Sequence, residues 1–355
     1  MKSTAIVETI AIDLATNVFQ VACVDHAGAV IQSLRLKRSA FLAFWHNRAP
    51  VTVVMEACGS AHFFGRWLTR LGHRVILLPA QYVRPYVRRN KTDASDCLAL
   101  LEAFRCAHLK PVPIKTEQQQ VIQLLHRSRQ QWQKTRTARI NLARGMLREF
   151  GVVVPEGAQR GLTAMRAALA DDTLDPRLHV LLTSLLQEIQ ETEKRVVAMD
   201  RQLAQLSQHD PVILKLESLP GIGWITATAL CASVGDIHRF AHGRTLSSWL
   251  GFTPKEHSSG SSRKLGRMSK RGDVYVRTLL IQGARSVLAA ARRAQRAGKR
   301  LDRLRTWAIA VADRRGFNKA AVGLANKLAR IAWATWKHER TFDADHACQY
   351  DAVMA

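Results

Sequence analysis

The run IAID at residues 10–13 decides the fold class of the N-terminal part, because it has the character of a buried strand that closes on a carboxylate, Asp13. A second run, VTVVME at residues 51–56, ends in the same way on Glu56. Packing does not explain an ionisable side chain at the end of an apolar strand, since such side chains are almost never buried without a partner. We therefore expect both carboxylates to have a chemical role.

The elements around these two runs predict a mixed α/β fold. Three short β-rich stretches come first, and helical stretches then alternate with two further strands. This order is typical of a mixed sheet with helices on its faces, and it is the order found in ribonuclease H and the Holliday-junction resolvases. In such a sheet the first and fourth strands can place Asp13 beside Glu56. The predicted strands are residues 5–14, 17–25, 28–36, 51–56 and 74–79.

A segment further along, NKTDASD at residues 90–96, supplies two more carboxylates, Asp93 and Asp96. It has the character of the first turn of a helix, where a spacing of three residues puts both on one face. Carboxylates that come together repel one another unless a cation or protons neutralise them. Hard oxygen ligands of this kind suit Mg²⁺, which commonly keeps water ligands and binds substrate phosphates. A Mg²⁺ site is therefore predicted if Asp13, Glu56, Asp93 and Asp96 meet in space.

The composition predicts a polyanionic partner. The chain has 355 residues, of which 47% are hydrophobic, and a formal net charge of +25. That length and hydrophobic content allow two or three domains with real cores, and the charge favours nucleic acid as the partner. Residues 263–330 hold nineteen Lys or Arg against three acids, so most of the excess lies in one stretch. The competing interpretation is a basic protein that binds no nucleic acid.

The cysteines and the apolar runs indicate the compartment. Six cysteines show neither a C-x-x-C pair nor a histidine at zinc-finger spacing, so reduced thiols are expected and structural zinc is not. No apolar run in the sequence reaches the length that a membrane span needs. Glu8 and Asp13 interrupt the apolar stretch that an N-terminal signal peptide requires. The sequence therefore predicts a soluble, cytoplasmic protein with no membrane partner.

Beyond Pro111 and Pro113 the pattern is helical. One long helix is predicted at residues 116–150, and it carries no acid between residues 127 and 148. Its uncompensated cations would repel one another, which favours phosphate contact over a merely solvated face. The cations of this helix predicted to bind nucleic acid are Arg127, Arg129, Lys134, Arg136 and Arg139.

A second long helix has the pattern of a coiled coil. Its apolar residues follow alternating steps of four and three from Leu178 to Leu206, with one polar interruption. The partner of this seam is either the 116–150 helix of the same chain or another subunit, and the sequence does not decide which.

The segment LPGIG at residues 219–223 has the character of a short turn between two helical stretches. Gly221 and Gly223 flank an apolar residue, so backbone amides can approach a phosphate at a helix N-terminus. This pattern is typical of a helix-hairpin-helix, which grips the DNA backbone without reading its sequence. A plain interhelical turn is the alternative.

A serine-rich segment at residues 255–273 is predicted to be a loop from its polar residues and glycines. A serine hydroxyl beside several cations can attack a phosphodiester, because the cations stabilise the charge that develops around phosphorus. The competing interpretation is a flexible phosphate-binding loop whose serines only donate hydrogen bonds. The cations of this segment predicted to bind nucleic acid are Arg263, Lys264, Arg267, Lys270 and Arg271.

Six ordered motifs connect these segments over nearly the whole chain. They are IDLA (12–15), MEACG (55–59), NKTDASD (90–96), LPGIG (219–223), GFTP (251–254) and the pair Ser259-Gly260 followed by RMSK (267–270). Together they make the chain similar to the DEDD-type insertion-sequence transposases. That family includes the Piv-like DNA invertases and the bridge-RNA-guided recombinases.

The resemblance implies a RuvC-like catalytic domain in which Asp13, Glu56, Asp93 and Asp96 hold Mg²⁺. It also implies a nucleophilic serine in a helical C-terminal domain. By motif this serine is Ser259, which Ser258 and Ser261 flank closely. A structured guide RNA that pairs with donor and target DNA is implied by the bridge-RNA-guided members. The domains are then 1–110 for the catalytic domain, 111–209 for the long basic helix and coiled coil, 210–340 for the helical transposase domain and 341–355 for a tail.

The predicted function is site-specific recombination of double-stranded donor and target DNA by a homo-oligomer, a dimer or tetramer. Ser259 would attack the scissile phosphate to form a phosphoserine, and reversal of that step would exchange strands without a high-energy cofactor. One rival is a metal-dependent resolvase-like nuclease, in which water attacks and Ser259 only binds phosphate. The others are a DNA invertase acting without guide RNA and a nucleic-acid-binding protein with no enzymatic activity.

Overall fold

The structure, a computed structural model, describes residues 7–87, 92–170 and 175–344. The chain divides into two compact units, Met1–Glu117 and Gln118–Ala355, each with hydrophobic cores of its own. The first two residues of the predicted helix start at 90–96, and residues 345–355 of the predicted tail, lie outside the described residues.

The first unit is built on a five-stranded mixed sheet with the strand order β3-β2-β1-β4-β5. β1 runs antiparallel to β2 and parallel to β4, and β4 runs parallel to β5. The centre of β1 is buried on both faces, as the unbroken apolar character of a strand between two helical layers requires. The strands are β1 Thr9–Asp13, β2 Val18–Val24, β3 Val30–Lys37, β4 Thr52–Glu56 and β5 Arg74–Leu78.

Helices cover both faces of this sheet, which confirms the predicted mixed α/β arrangement. On one face Phe19, Phe41 and Phe64 form an aromatic cluster with stacked and edge-to-face rings. On the other face the fourth helix buries Cys97 and Leu100 against the sheet. The helices of this unit are α1 Arg38–Ala43, α2 Ala61–Arg70, α3 Ala80–Val83 and α4 Asp93–Arg105.

The second unit is mostly helical and contains one two-stranded ribbon, β6 Pro254–Glu256 and β7 Leu265–Met268. Its largest core gathers apolar side chains from α8 through α13. Within the described ranges, no helix combines the length and the apolar character needed to cross a membrane. The helices are α5 Glu117–Glu149, α6 Ala158–Leu169, α7 Pro176–Ser207, α8 Pro211–Glu217, α9 Trp224–Val234, α10 Gly243–Trp249, α11 Val274–Arg296, α12 Arg303–Arg315 and α13 Phe317–Lys337.

The two long helices α5 and α7 pack against each other in antiparallel orientation. Arg129 of α5 pairs with Asp200 of α7, and Arg139, further along α5, pairs with the earlier Glu188 at 2.7 Å. Apolar seam residues of both helices share one buried cluster, which includes Ile189 of α7. The coiled-coil seam therefore finds a partner in the same chain, because an apolar stripe must be buried against another element.

Candidate active site

Two of the predicted acidic residues lie side by side at one edge of the sheet. β1 and β4 are parallel neighbours, and Ile12 is paired with Met55. The next residue on each strand is therefore the carboxylate, Asp13 or Glu56, and parallel strands end at the same edge. Both side chains are half-buried. The predicted adjacency of these two carboxylates is confirmed.

The second pair of acids begins α4. The hydroxyl of Thr92 accepts a hydrogen bond from the Ser95 backbone amide at 3.2 Å, and the Ser95 hydroxyl accepts one from the Thr92 amide at 2.8 Å. This reciprocal capping box fixes the start of the helix, because it satisfies two amides that have no partner within the helix. Asp93 and Asp96 consequently lie in the first turn, as predicted, where the helix dipole also favours negative charge.

Cys97 shows how close α4 brings these acids to the sheet. Its buried thiol donates a hydrogen bond to the Gln20 carbonyl at 3.4 Å, and Gln20 is the residue of β2 that pairs with Asp13. Burial raises the pKa of Cys97 to about 12, and the negative charges of Asp13, Asp96 and Asp93 act in the same direction. One thiol thus lies within the electrostatic range of three of the four carboxylates, and the fourth, Glu56, is next to Asp13.

The donor set fits a divalent cation. Asp96 Oδ1 is buried and accepts no hydrogen bond, which is unusual for a carboxylate oxygen. A hard cation gives such an oxygen a partner, and four carboxylates supply the oxygen ligands that Mg²⁺ takes. Among residues 7–87, 92–170 and 175–344, however, no three Asp, Glu, His or Cys side chains are close enough together to hold an ion. The chemistry of these donors therefore fits Mg²⁺, whereas their geometry among the described residues does not define an ion site.

The serine-rich segment contains a β-hairpin, so the prediction of a loop is wrong for the strands β6 and β7. Residues 257–264 between them and residues 269–273 after them belong to no named strand or helix, as predicted. β6 and β7 are antiparallel, and at the tip Ser259 and Ser262 exchange backbone hydrogen bonds of 3.1 and 3.0 Å. Gly260 has a φ of +53°, which a two-residue hairpin turn requires at its first position. The serines and glycine of this segment lie among polar residues, so apolar and polar residues do not alternate as they do along a strand. The ribbon could therefore not be predicted from periodicity.

The three candidate serines differ in their surroundings. The Ser258 hydroxyl donates to Glu256 Oε1 at 2.7 Å and accepts from the Lys264 backbone amide at 3.1 Å, so its proton and one lone pair are engaged. Ser259 and Ser261 are exposed, and neither hydroxyl forms a hydrogen bond with any residue that the structure describes. An approaching phosphate therefore meets no competing contact at these two hydroxyls.

The cations of the hairpin remain accessible. Lys264, Arg267, Lys270 and Arg271 are exposed, and Arg263 lies 3.5 Å from the carboxylate of Glu256. An exposed pair of that kind contributes little to stability, so it leaves the guanidinium able to exchange partners. Their contact with nucleic acid stays a prediction.

Three of the predicted cations of α5 have acidic partners. The premise that the cations of this helix are uncompensated is therefore wrong for these three. Arg129 pairs with Asp200, Arg136 with Glu193 at 3.4 Å and Arg139 with Glu188 at 2.7 Å. The compensating acids lie on α7, about sixty residues away in sequence, and only the register of the two helices brings them together. Arg127 and Lys134 are exposed, and phosphate contact stays a prediction for all five predicted cations of this helix.

The turn at residues 219–223 has a packing reason for one of its glycines. Gly221 has a φ of +81°, and a Cβ there would lie 2.7 Å from the carbonyl oxygen of Gly283 on α11. Gly223 begins α9 without a side-chain cap, and a Cβ there would meet nothing within 4 Å. Close packing therefore accounts for Gly221, whereas an accessible helix start is available for an anion at Gly223.

Cys97 and Arg277 hold the candidate functional groups in place, but no sequence pattern predicted this role for either residue. Cys97 is one of six scattered cysteines, and Arg277 is one of many arginines in the basic stretch. Cys97 is fully buried against the sheet and Arg277 is almost fully buried in the second unit. Their partners are backbone carbonyls, which a sequence pattern does not reveal.

Two family models match most of this chain. The one described as "Transposase IS116/IS110/IS902 family" matches residues 214–299, and the DEDD model of the IS110 family, described as "Transposase", matches residues 10–152. A probable family 20 transposase of Pseudomonas aeruginosa is 40% identical over 336 residues, which cover 94% of this chain and 98% of that protein. The chain belongs to the IS110 family of transposases.

Two other relatives are a second transposase and a gene-inverting protein. The transposase for insertion sequence element IS1111A of Coxiella burnetii is 36% identical over 95% of this chain and 91% of its own length. The pilin gene-inverting protein of Moraxella bovis is 23% identical over 94% of this chain and 97% of its own length. Transposases cut and rejoin DNA, so this IS110-family transposase is an enzyme of DNA recombination that belongs to a mobile element.

Proposed function

We propose that this transposase cuts and rejoins DNA through two sets of groups. The first is a Mg²⁺ site made by Asp13, Glu56, Asp93 and Asp96, and the second is a nucleophilic serine, Ser259. The observation that carries the proposal is the shared edge: Asp13 and Glu56 end paired parallel strands, and the first turn of α4 lies against the same part of the sheet. The unpartnered buried oxygen of Asp96 supports the metal site.

In the proposed reaction, Ser259 Oγ attacks the phosphorus of the scissile phosphodiester. A bond forms between Oγ and phosphorus, the bond to one sugar oxygen breaks, and that oxygen leaves with a proton as a free hydroxyl. The serine proton passes to solvent. Mg²⁺, when bound, stabilises negative charge on the non-bridging oxygens. A hydroxyl from another strand then attacks the phosphoserine, so the number of phosphoester bonds is conserved and no high-energy cofactor is needed.

The motif assigns the role to Ser259. The hydrogen bond from the Ser258 hydroxyl to Glu256 does not count against Ser258, because a carboxylate that accepts a serine proton can act as its general base. The hydroxyl of Ser261 is as free as that of Ser259, and the motif alone separates the two. Exposed cations on the hairpin are suited to hold the phosphate while the bond forms, because positive charge stabilises the developing dianion.

The test is covalent capture of DNA by single-serine variants. Labelled supercoiled DNA carrying the element ends is incubated with the wild-type protein and with Ser258→Ala, Ser259→Ala and Ser261→Ala, in Mg²⁺ and in a chelator. We expect protein–DNA adducts that need Mg²⁺ and disappear only in Ser259→Ala, with the phosphoserine mapped by mass spectrometry. Hydrolysed ends without adduct in the wild type would favour the metal-dependent nuclease instead.

We further propose that a structured RNA from the element guides the reaction and that the protein acts as a homo-oligomer. Exposed Arg127 and Lys134 on α5 are available for phosphate contacts. Recombination that requires co-expressed non-coding RNA from beside the gene, and that ribonuclease abolishes, is the expected result. Light scattering during the same reaction gives the number of subunits.

DNA inversion without a guide RNA is the second candidate, because a pilin gene-inverting protein matches nearly the whole chain. It predicts recombination between inverted sites that ribonuclease does not affect. The ribonuclease arm of the same experiment therefore separates the two candidates.

A further inference from the structure

Arg277 is a buried cation that forms no ion pair with a carboxylate in the part of the chain that the structure describes. It lies in the first turn of α11 and is 6% exposed. Burying a charge costs free energy unless it is fully hydrogen-bonded, and the positive end of the helix dipole adds to that cost. The helix itself therefore does not explain why an arginine occupies this buried position.

Its guanidinium spans the two ends of the serine hairpin. Arg277 Nη1 donates to the carbonyl of Leu250 and to the carbonyl of Arg271, each at 2.9 Å. Leu250 directly follows α10 on the side that leads into the hairpin, and Arg271 lies three residues beyond the end of β7 on the side that returns from it. One nitrogen thus ties the entry and the exit of the whole segment between residues 251 and 271.

The two legs cross at this place in direct backbone contact. A Cβ on Gly251 would lie 2.0 Å from the Arg271 carbonyl oxygen, and a Cβ on Gly272 would lie 1.9 Å from the Trp249 carbonyl oxygen. Both glycines have a φ near +80°, which other residues rarely adopt. The Lys270 amide also donates to the Gly251 carbonyl at 3.1 Å. The segment therefore has a narrow neck, and Arg277 lies at that neck.

The far side of the neck is anchored by hydrogen bonds and by core packing. Asp273 caps α11 by accepting from the amides of Tyr275 and Val276 at 2.9 and 3.1 Å, and it also accepts from the Ser233 hydroxyl of α9. Next to Arg277 on α11, Val276 is buried in the largest core of the unit. The guanidinium is consequently anchored on a fixed helix while it holds a ribbon whose strands are exposed.

We infer that Arg277 is a positioning residue for the serine hairpin: it clamps the neck and thereby holds the tip with Ser259 in the orientation used for attack. The inference rests on the proposed role of Ser259. Without the clamp the legs can separate, and a nucleophile that loses its orientation reacts more slowly even when the substrate is still bound.

Tryptic nicking tests the clamp without any reference to catalysis. The hairpin carries cleavage sites at Arg263, Lys264 and Arg267, and the link between α11 and α12 offers Lys299 and Arg300 as an internal reference. In the DNA-free full chain, Arg277→Gln is expected to raise nicking in the hairpin at least about tenfold, because proteolysis follows the population of the opened form. Nicking at the reference sites stays unchanged.

Two further variants complete the comparison. Arg277→Lys keeps the charge and can still donate to the carbonyls, so its nicking rate is expected between those of the wild type and Arg277→Gln, and it carries the test if the glutamine variant does not fold. Arg285→Gln removes a cation of the same helix that donates to Asn318 rather than to the hairpin, and it is expected to nick like the wild type.

The catalytic consequence is measured by comparing the rate of adduct formation with the affinity for DNA. In Arg277→Gln the single-turnover rate of adduct formation is expected to fall at least about tenfold, while the Kd for the same DNA at fixed salt changes less than about twofold, since the hairpin cations remain. Arg277→Lys is expected to recover part of the rate.

Three results would overturn the inference. They are unchanged nicking in the hairpin, equal acceleration at hairpin and reference sites, and faster nicking with an unchanged adduct rate. Adducts that persist in Ser259→Ala would instead contradict the proposed nucleophile, and the nicking comparison would then still decide whether Arg277 clamps the neck.

Discussion

A buried histidine in the second unit should make its stability fall in mild acid. His126 of α5 is 3% exposed, and its Nε2 lies 2.9 Å from the Thr228 hydroxyl while its Nδ1 lies 3.1 Å from the Tyr275 hydroxyl. Thr228 donates its proton to the Trp224 carbonyl at 2.6 Å, so it accepts from Nε2. Nδ1 then accepts from Tyr275, so a second proton on the ring requires that hydroxyl to turn and adds a positive charge close to Arg129.

The magnitude follows from the pKa. Burial, with a smaller contribution from the charge of Arg129, lowers the pKa of His126 from 6.5 to about 4. A histidine whose pKa is depressed on folding contributes stability above its unfolded pKa, and the contribution is lost as the pH falls from 6.5 through about 4. The full difference corresponds to about 3 kcal/mol, and the part lost on going from pH 7.5 to pH 5 is about 2 kcal/mol.

The assay compares His126→Gln with the wild type. Glutamine offers one donor and one acceptor and does not titrate, so it can keep the network without the pH dependence. Urea unfolding is followed at both pH values by hydrogen exchange of amides in α5 and α9, and His209→Gln, an exposed position, is the control. The wild type is expected to lose about 2 kcal/mol more than His126→Gln. Equal losses in the two proteins would refute the reasoning.

Two further predictions concern the metal site and the packing of the 219–223 turn. Mg²⁺ should raise the thermal unfolding midpoint of the wild type in calorimetry but not that of Asp96→Asn. Without metal, Asp96→Asn should be at least as stable as the wild type, because one of several like charges is removed. An equal response of both proteins to Mg²⁺ would contradict the site. Gly283→Ala should cost about 2 kcal/mol or more in urea unfolding, since its Cβ would lie 1.9 Å from the Gly221 carbonyl oxygen. Gly145→Ala on α5, where a Cβ meets nothing within 4 Å, should instead stabilise by about 0.5–1 kcal/mol, and similar losses in both variants would remove the packing argument.

The sequence by itself determined the mixed sheet and the edge where the chemistry is expected. Apolar runs such as 10–13 and 51–56 report burial directly, and two parallel strands that each end in an acid must present those acids at one edge. The start of α4 was also predicted, since residues 90–96 have the character of a first helical turn, although the capping box of Thr92 and Ser95 is seen only in the structure. These features depend on local dihedral angles and on burial, which neighbouring residues decide.

Only the tertiary structure decided which cations are paired, how the serine segment folds and what holds it. Arg129, Arg136 and Arg139 are unaccompanied on their own helix and become ion pairs only in the register of α5 against α7. Arg277 meets carbonyls six and twenty-seven residues away, and these are backbone groups that every residue type carries. Such pairings depend on how distant segments are placed in three dimensions, so composition and spacing along the chain do not specify them.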